Sequence, residues 1–322
     1  MKPEAMNTYS QRHYGRGTPS KADEALGQSE IFLEFQERLS RVAPVNRPTL
    51  LLGERGSGKE LAASRLHYLS KRWQGPFLTL NCSALSPSLI ESELFGYEKG
   101  AFTGANKQKK GLLETASGGT LFLDEICNIS DNMQTKLLRV VQEQQITRVG
   151  GLESIDIDVR FVVATNQPMD KMVQEGKFRH DLYHRLNVIN IQMPPLRERM
   201  EDLPLLTDML IKRYAGKYKR TISGFNSKSL AFLQQYHWPG NIRELSNIIE
   251  RCVALSDSEE LNLDEAPIAV NSPLSMDSQP IDADQPSLAE LEKRYILKLL
   301  ESCQGNREQT ALILGINCLL YT

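Results

Sequence analysis

The sequence predicts an α/β protein built on a parallel sheet with helices on both faces, followed by a small all-helical domain. Short apolar strands alternate with amphipathic helices from about Ile31 to Met193. Between Arg197 and Leu255 the periodicity is helical only. The pair Pro194-Pro195 separates the two patterns, because proline interrupts regular strands and helices.

Five strands are expected in the first domain and three helices in the second. Each strand is a short, mostly apolar run, which is typical of a parallel strand buried on both faces. The predicted strands are Thr49 to Leu52, Phe77 to Leu80, Thr120 to Leu123, Val159 to Thr165 and Val188 to Gln192. The predicted helices of the second domain are Leu203 to Tyr214, Ser227 to Tyr236 and Asn241 to Leu255.

The remaining segments complete the expected domain order. Residues 1–25 are predicted to be a solvated tail, 26–195 the α/β domain and 196–255 the helical domain. Residues 256–286 contain eight acidic residues, no lysine or arginine and four prolines, which indicates a flexible acidic linker. A last helical piece is expected over residues 287–322.

Composition limits the possible function classes. With 322 residues and a net charge of -2, the chain is not basic throughout, so nucleic-acid contact would be confined to one module. Its five cysteines are widely spaced and form no C-x-x-C pair, which argues against a disulfide framework or a zinc site and fits a reducing cytoplasm. No apolar run approaches the roughly 18 residues of a membrane span. We therefore expect a cytoplasmic protein with no membrane insertion.

A glycine-rich loop follows the first strand and opens a helix that runs through Leu66. Such a loop wraps phosphates with backbone N–H groups, and its lysine, here Lys59, reaches the outer phosphates. Glu60 occupies the place of the usual Ser or Thr, so the hydroxyl ligand to magnesium is missing. Alone, the loop fits a structural turn equally well. Its residues are Gly53, Glu54, Arg55, Gly56, Ser57, Gly58, Lys59 and Glu60.

The third predicted strand ends in two carboxylates, Asp124 and Glu125. Ligands bind at this end of parallel strands. We expect Asp124 to hold Mg²⁺ through its water shell and Glu125 to orient the attacking water, with ATP and Mg²⁺ as the cofactors. Solvated acids at a strand end are the alternative, which the upstream phosphate loop disfavours.

Three further polar residues end neighbouring strands. Asn81 could donate a hydrogen bond to Glu125 and hold it away from the water, although a plain turn asparagine fits equally well. Thr165 and Asn166 could contact the water or the outermost phosphate. Polar residues are common at strand ends, so the signal from this pair is weak when taken alone.

Two arginines follow the last strand–helix unit. Arginines that stabilise a transferring phosphoryl group can come from a neighbouring subunit, so Arg179 and Arg185 would place the active site at an interface within a ring. Surface charges on a helix are the alternative for each. His180 and His184 have i, i+4 spacing that suits a metal, but no third ligand accompanies them, and a metal is not expected there.

A small apolar hexapeptide lies between the phosphate loop and the acidic strand end. Its Phe and Thr stand between glycines, which gives an apolar tip on a bendable stalk. In an ATP-binding protein this suggests a device that pushes on another protein, although a surface turn is the alternative. The residues are Gly100, Ala101, Phe102, Thr103, Gly104 and Ala105.

Taken in order, these motifs resemble those of AAA+ enhancer-binding activators of sigma-54 RNA polymerase. The resemblance covers about residues 26–255 and includes the segments 194–199 (PPLRER) and 238–245 (WPGNIREL). Residues 64–77 are most similar to the activators of phage shock operons. Because Glu60 is the expected residue in this family, it does not count against ATP binding.

The resemblance implies a function as well as a fold. It implies an AAA+ P-loop NTPase with a helical lid that assembles into a hexamer. The Phe102–Thr103 loop would grip the sigma factor, and ATP hydrolysis would move it to remodel the closed promoter complex. Arg243 in the lid would sense nucleotide within the same subunit.

The C-terminal piece resembles the family's helix-turn-helix but is incomplete. Ser287 to Ser302 and Asn306 to Leu314 would form two helices with a turn at Gly315-Ile316, and the residues that follow contain no lysine or arginine. Its basic and acidic residues balance, and phosphate neutralisation supplies most non-specific DNA affinity. We therefore expect weak or absent binding to enhancer DNA.

Trp73 follows a helix and has polar neighbours. A core anchor is the favoured interpretation; the alternative is an exposed aromatic where an inhibitory protein docks in trans.

Two other function classes remain open for the whole chain. One is an unfoldase or chaperone ATPase, which the hexapeptide and the helix-turn-helix remnant disfavour. The other is a non-hydrolysing, nucleotide-responsive DNA-binding regulator, which Glu125 disfavours.

Overall fold

A five-stranded parallel sheet forms the centre of the α/β domain. The computed structural model describes residues 25–256, 258–263 and 296, and the chain divides into two units, 1–266 and 267–322. The strands are β1 (Thr49–Leu52), β2 (Phe77–Asn81), β3 (Gly96–Tyr97), β4 (Lys109–Lys110), β5 (Thr120–Asp124), β6 (Gln145–Thr147), β7 (Ser154–Asp156), β8 (Arg160–Thr165), β9 (Ile189–Gln192), β10 (Gly224–Phe225) and β11 (Glu260–Leu261). The helices are α1 (Glu30–Val42), α2 (Lys59–Tyr68), α3 (Pro87–Phe95), α4 (Leu112–Thr115), α5 (Asp131–Glu143), α6 (Met169–Gln174), α7 (His180–Leu186), α8 (Leu203–Tyr218), α9 (Ser227–Gln235) and α10 (Asn241–Leu255).

The sheet has the order β2-β5-β8-β1-β9, and every neighbouring pair is parallel. These are the five predicted strands, and each begins within one residue of its expected position. Two short antiparallel ladders, β3–β4 and β6–β7, stand apart from the sheet and were not among the predicted strands.

Alternating side chains of the strands feed two apolar cores, one on each face of the sheet. Leu121 and Leu123 belong to the core that includes residues of α3, α5 and α7, whereas Phe122 belongs to the core that includes residues of α1 and α2. This period of two is what a pleated strand imposes. Both cores are closed to water, so the sheet is a rigid base for the loops at its carboxyl edge.

The helical lid follows the sheet, as predicted. α8 and α10 pack together through apolar side chains, and the Tyr214 and Ser246 hydroxyls lie 2.7 Å apart across them. Trp238 is fully buried before α10, and its indole N–H donates to the carbonyl of Leu233 at 3.0 Å. The lid therefore has its own core.

The first residues of the predicted acidic linker are part of the lid instead. Residues from 256 were expected to be linker, but β11 pairs in parallel with β10, and Leu261 and Leu263 are buried. The apolar residues within the acidic stretch explain the difference, because burying them stabilises the segment against the lid. Residues 258–263 therefore belong to the lid.

Other predictions fall outside the described residues. These are the tail over 1–24, the linker from 264 onward and, apart from Ile296, the helix-turn-helix. Among the residues that the structure does describe, no helix combines the length and apolar character needed to cross a membrane.

Candidate functional site

The glycine-rich loop runs from the end of β1 to the start of α2, at the carboxyl edge of the sheet. Gly58 is the N-cap of α2 with φ of 106°, a left-handed conformation that glycine adopts without strain. Ser57 is buried, and its hydroxyl donates to the carbonyl of Glu54 at 2.9 Å. The loop therefore presents the first backbone N–H groups of α2, as anion binding requires. Glu60, the second residue of α2, is exposed.

Lys59 is buried at the centre of the loop. Its Nζ donates to the carbonyls of Gly53 and Glu54 at 2.8 and 2.9 Å. Burial lowers the pKa of Lys59, while the charges of Asp124 and Glu125 oppose this shift. The ammonium group thus lies between the loop and the acidic strand end, where a phosphate would compensate its desolvation.

Asp124 ends β5 beside Asn81, the last residue of β2. The Asn81 amide donates to Asp124 Oδ2 at 3.5 Å, and the backbone N–H of Glu125 donates to Oδ1 at 3.0 Å. Burial raises the pKa of Asp124, and Lys59 opposes that shift. A cation beside a desolvated carboxylate favours its charged form, so this position suits Mg²⁺.

A single protein carboxylate at that position is compatible with magnesium. Within the described part of the chain, no three His, Cys, Asp or Glu side chains cluster as a metal cage. Mg²⁺ retains several waters and is usually bound by one or two carboxylates together with substrate phosphates. The site therefore fits a magnesium–nucleotide complex.

His180 and His184, the i, i+4 pair on α7, contact each other, with their Nε2 atoms 2.9 Å apart.

Glu125 is held by partners that the sequence analysis did not assign. Of the two interpretations of Asn81, the bond to Glu125 is wrong for this structure, because the Asn81 amide donates to Asp124. The turn interpretation fits, since the Asn81 amide oxygen accepts from the backbone N–H and the hydroxyl of Ser83 at 2.8 and 2.6 Å. Glu125 instead accepts from Asn128 Nδ2 at 3.1 Å and from Arg55 Nη2 at 3.4 Å. Its backbone has φ of 54°, which turns the chain sharply after β5 and sets the side-chain direction. The order of residues in the sequence could not show which of the two adjacent carboxylates, Asp124 or Glu125, accepts the hydrogen bond from Asn81.

Thr165 ends β8 next to the loop. The backbone N–H of Gly53 donates to the Thr165 carbonyl at 3.3 Å, and the Thr165 hydroxyl accepts from the backbone N–H of Gln167 at 3.0 Å. The thiol of Cys127 lies 2.9 Å from the same hydroxyl. Thr165 is therefore fixed, whereas Asn166 is half-buried at the site's edge.

The start of α10 packs directly on the phosphate loop. A Cβ at Gly56 would lie 2.3 Å from the Gly240 carbonyl oxygen and 2.8 Å from the Arg243 Cβ, so glycine is required at this contact. The backbone N–H of Arg243 donates to the Gly56 carbonyl at 3.3 Å, and its charge acts on both Lys59 and Asp124. The structure thus places Arg243 beside the nucleotide loop.

Two residues that the sequence analysis left without a role join the lid to this loop. Fully buried Asn241 donates to Glu54 Oε2 at 3.0 Å and to the Arg55 carbonyl at 3.1 Å, while its Oδ1 accepts from the Leu196 backbone at 2.7 Å. Arg197 binds both carboxylate oxygens of Glu54, at 2.8 and 2.7 Å, and this lowers the pKa of Glu54. Arg197 lies in the segment 194–199 and Asn241 in the segment 238–245, both of which resemble the family's motifs. That resemblance was the signal in the sequence that could have pointed to these two residues.

Arg179 and Arg185, the two arginines predicted to act on a neighbouring subunit, lie at the start of α7 and on it. The guanidinium of Arg179 pairs with Asp181 at 2.7 Å and contacts the Thr135 hydroxyl at 3.4 Å. Arg185 is exposed on α7. The hydrogen bonds and ion pairs of Arg179 thus join it to α5 and α7 rather than to its own phosphate loop.

The hexapeptide forms a closed surface loop with an exposed aromatic tip. The backbone N–H of Gly100 donates to the Ala105 carbonyl at 2.9 Å, which closes the loop. Gly100 and Gly104 have φ of 86° and 105°, with open space where a Cβ would lie. Phe102 is 46% exposed and rests edge-on against Tyr97, with ring centroids 4.9 Å apart. Thr103 is exposed beside it.

An arginine at the base of this loop ties it to the sheet. Arg148 binds both carboxylate oxygens of Glu114 at 2.8 and 2.7 Å and one oxygen of Glu98 at 2.8 Å. These contacts lower the pKa of both glutamates and raise that of Arg148. Glu98 precedes the hexapeptide, and Glu114 lies on α4 just before β5. The loop base is therefore connected to the strand that ends in Asp124.

Trp73 is 55% exposed, so the favoured prediction of a core anchor is wrong. It lies in the turn after α2, where its backbone N–H donates to the Ser70 carbonyl at 3.3 Å. The aromatic content of the segment could not show that this turn lies on the surface. The alternative, an exposed aromatic docking point, is the one compatible with this position.

Comparison with known families gives three consecutive matches. Residues 25–192 match the Sigma-54 interaction domain, 197–279 the AAA+ ATPase lid domain, and 287–318 the Bacterial regulatory protein, Fis family, a helix-turn-helix model. The first match covers the phosphate loop, the hexapeptide and Thr165, and the second begins at Arg197.

Individual relatives agree with these matches. The chain is 44% identical over 299 residues to the transcriptional regulatory protein ZraR of Klebsiella oxytoca, covering 93% of this chain and 68% of that protein. It is 43% identical over 307 residues to the Psp operon transcriptional activator of Escherichia coli K12, covering 91% of this chain and 94% of that protein.

A solved structure extends the similarity to the fold. The crystal structure of NtrX from Brucella abortus in complex with ATP matches with a TM-score of 0.71 at 34% identity, covering 92% of this chain and 67% of that one. The order of domains in this chain, a parallel sheet followed by a helical lid, is the order of the first two family matches. The chain belongs to the family of sigma-54-dependent transcriptional activators, whose sigma-54 interaction domain is an AAA+ ATPase.

Proposed function

We propose that this chain hydrolyses ATP with Mg²⁺ and uses the cycle to move the 100–105 loop against sigma-54 RNA polymerase, which remodels the closed promoter complex. One observation carries the proposal: Arg148 connects the base of this loop, at Glu98, to Glu114 on α4 just before the strand that ends in Asp124 and Glu125. A change at the acidic strand end therefore has a continuous route to the loop, which runs back along β5 to α4 and then through Arg148 to Glu98.

Each residue of the nucleotide site has a proposed role. The backbone N–H groups of residues 53–60 and the ammonium of Lys59 bind the phosphates. Asp124 would hold Mg²⁺ through water, and the bound metal would neutralise charge on the outer phosphates. Glu125 orients the attacking water once it leaves Arg55 and Asn128. Thr165, Asn166 and Arg243 report whether the outermost phosphate is present, and Asn81 positions Asp124.

Arg179 and Arg185 act on the nucleotide of a neighbouring subunit in a hexameric ring. The contacts of Arg179 with α5 and Asp181 support this, because they do not engage the chain's own phosphate loop. An arginine supplied from another subunit stabilises charge on the transferring phosphoryl group, so turnover requires assembly.

Phe102 and Thr103 form the contact with the sigma factor. The half-exposed ring of Phe102 offers an apolar surface, and glycines on both sides let the tip dock or retract with the state of the nucleotide.

The remaining partners follow from similarity and exposure. The likeness to the Psp operon activator supports a role at phage shock promoters, in the cytoplasm. Residues 287–318 are the proposed contact with enhancer DNA, and their balanced charge supports binding that is weak or absent. Exposed Trp73 is the proposed docking point of an inhibitory protein that acts in trans.

The variant Thr103→Ala tests the coupling of turnover to remodelling. It should keep wild-type phosphate release and lose open-complex formation on a sigma-54 promoter. Lys107→Ala, an exposed change just outside the loop, is the matched control and should keep both activities. Normal transcription from Thr103→Ala would refute the assignment of the loop.

A further inference from the structure

A cavity of about 450 Å³ lies at the end of the sheet opposite the nucleotide site. It is lined by the residues after α1, by the turn after α2, and by residues that precede β2, β5 and β8. Because these strands are parallel, the cavity borders their amino ends, whereas the phosphate loop borders the carboxyl ends. The two sites are therefore separate.

Arg160 lines this cavity and carries a buried charge without a carboxylate partner. The residue is 3% exposed. Its Nη1 donates to the Ala43 carbonyl at 2.5 Å and its Nη2 to the Val42 carbonyl at 3.4 Å, while Nε has no acceptor within the described residues. Carbonyls at the end of α1 supply only a partial negative charge, equivalent to about half an elementary charge. The guanidinium is thus incompletely compensated.

The charged neighbours of Arg160 increase the excess of positive charge at the cavity. Burial, together with the positive charge of Arg72, lowers the pKa of Arg160 to about 10. The one carboxylate lining the cavity, Asp158, is already bound to Arg72, with Nη2 and Oδ1 2.5 Å apart. Lys71 adds a third basic side chain to the wall. Buried charges in proteins are normally paired, so this surplus calls for an anion.

The cavity wall is already ordered. The Nε of Arg72 donates to Asn46 and its Nη1 to the Asp158 carbonyl, both at 3.0 Å. Gly75 and Gly118 approach so closely that a Cβ on Gly75 would lie 2.4 Å from the Gly118 carbonyl oxygen. A site held in this way loses little freedom when it binds a ligand.

We propose that this cavity binds a phosphoryl oxyanion, either inorganic phosphate or the phosphate group of a small metabolite, between Arg160 and Lys71. A dianionic phosphate matches the basic surplus, because its oxygens can accept from the Lys71 ammonium at the cavity wall and lie beside the buried charge of Arg160. The volume exceeds that of one phosphate and leaves room for bound water or a small organic group.

Trp73 provides a direct probe of binding. It lies between Arg72 and Gln74, which both line the cavity, whereas the second tryptophan, Trp238, is fully buried in the lid. Titration with inorganic phosphate at constant ionic strength, in a Lys59→Ala background that disables the nucleotide loop, should produce a saturable change in tryptophan emission. Glycerol phosphate forms a second arm, and sodium glutamate tests a carboxylate instead.

Arg160→Gln should weaken the apparent affinity about tenfold or more, as expected for loss of a buried positive charge beside the anion. Lys71→Gln, an exposed change that leaves the fold intact, should weaken it less, and Lys171→Gln on α6 is the control that should leave it unchanged. Circular dichroism checks that Arg160→Gln folds. A linear, unsaturated response, an unchanged affinity in both cavity variants, or binding of glutamate alone would each overturn the proposal.

Discussion

Arg148→Ala is expected to detach the 100–105 loop from α4 while leaving the nucleotide site in place. The substitution removes the bidentate bond to Glu114 and the bond to Glu98. Neither glutamate belongs to the phosphate loop. Its primary effect should therefore fall on the loop rather than on phosphate binding.

The expected magnitude follows from the burial of Glu114, whose side chain is 9% exposed. Removing a hydrogen-bonded charge from such a carboxylate costs about 2 kcal/mol. For a domain of this size that corresponds to a fall in Tm of about 4–8 °C. If this free-energy cost is confined to the loop base, it lowers the ratio of the conformation with the 100–105 loop in its present position to other loop conformations about 30-fold.

Thermal unfolding, phosphate release and open-complex formation should be measured on the same preparation. We expect a lowered Tm, near wild-type turnover at saturating protein and strongly reduced open-complex formation. Arg148→Lys should be intermediate, and Arg139→Ala, which removes an exposed guanidinium from α5, is the control. An unchanged Tm together with full open-complex formation would show that this ion-pair cluster does not support the loop.

Three other substitutions test separate parts of the account. Asn241→Ala should cost about 2–3 kcal/mol in urea unfolding and weaken ATP binding, because it leaves buried groups of the phosphate loop unpaired; wild-type values for both would contradict the lid contact. Trp73→Ala should change the free energy of unfolding by less than about 0.5 kcal/mol while abolishing inhibition in trans; a large loss of stability would restore the core interpretation. Arg179→Ala should bind ATP normally but lose about 10³-fold in turnover at concentrations that assemble the ring; retained turnover would exclude a role in trans.

The sheet could be predicted from sequence because a parallel strand buried on both faces requires an unbroken apolar run. The strand-end residues Asp124 and Thr165 could be placed for the same reason, since parallel strands bring their carboxyl ends to one edge. Two-residue ladders such as β3–β4 leave no such pattern. Residues 258–263 were misassigned because their acidic composition conceals the buried Leu261 and Leu263.

Side-chain partners were less predictable, because they depend on tertiary geometry. Asn81 reaches Asp124 rather than Glu125 because Asn81 and Asp124 are register partners at the carboxyl ends of β2 and β5. Asn241 lies in a recognisable segment, yet its bonds to Glu54 and Arg55 join residues far apart in the sequence. The charge imbalance at Arg160 likewise becomes visible only when its neighbours in space are known.

The central claim is that ATP hydrolysis, rather than nucleotide binding alone, drives the loop against the sigma factor. Open promoter complexes formed by sigma-54 RNA polymerase should be counted with the wild-type chain and either Mg²⁺-ATP or a non-hydrolysable ATP analogue. We predict open complexes with ATP, accompanied by phosphate release, and none with the analogue. Equal yields with both nucleotides, or phosphate release with no open complexes, would contradict the account.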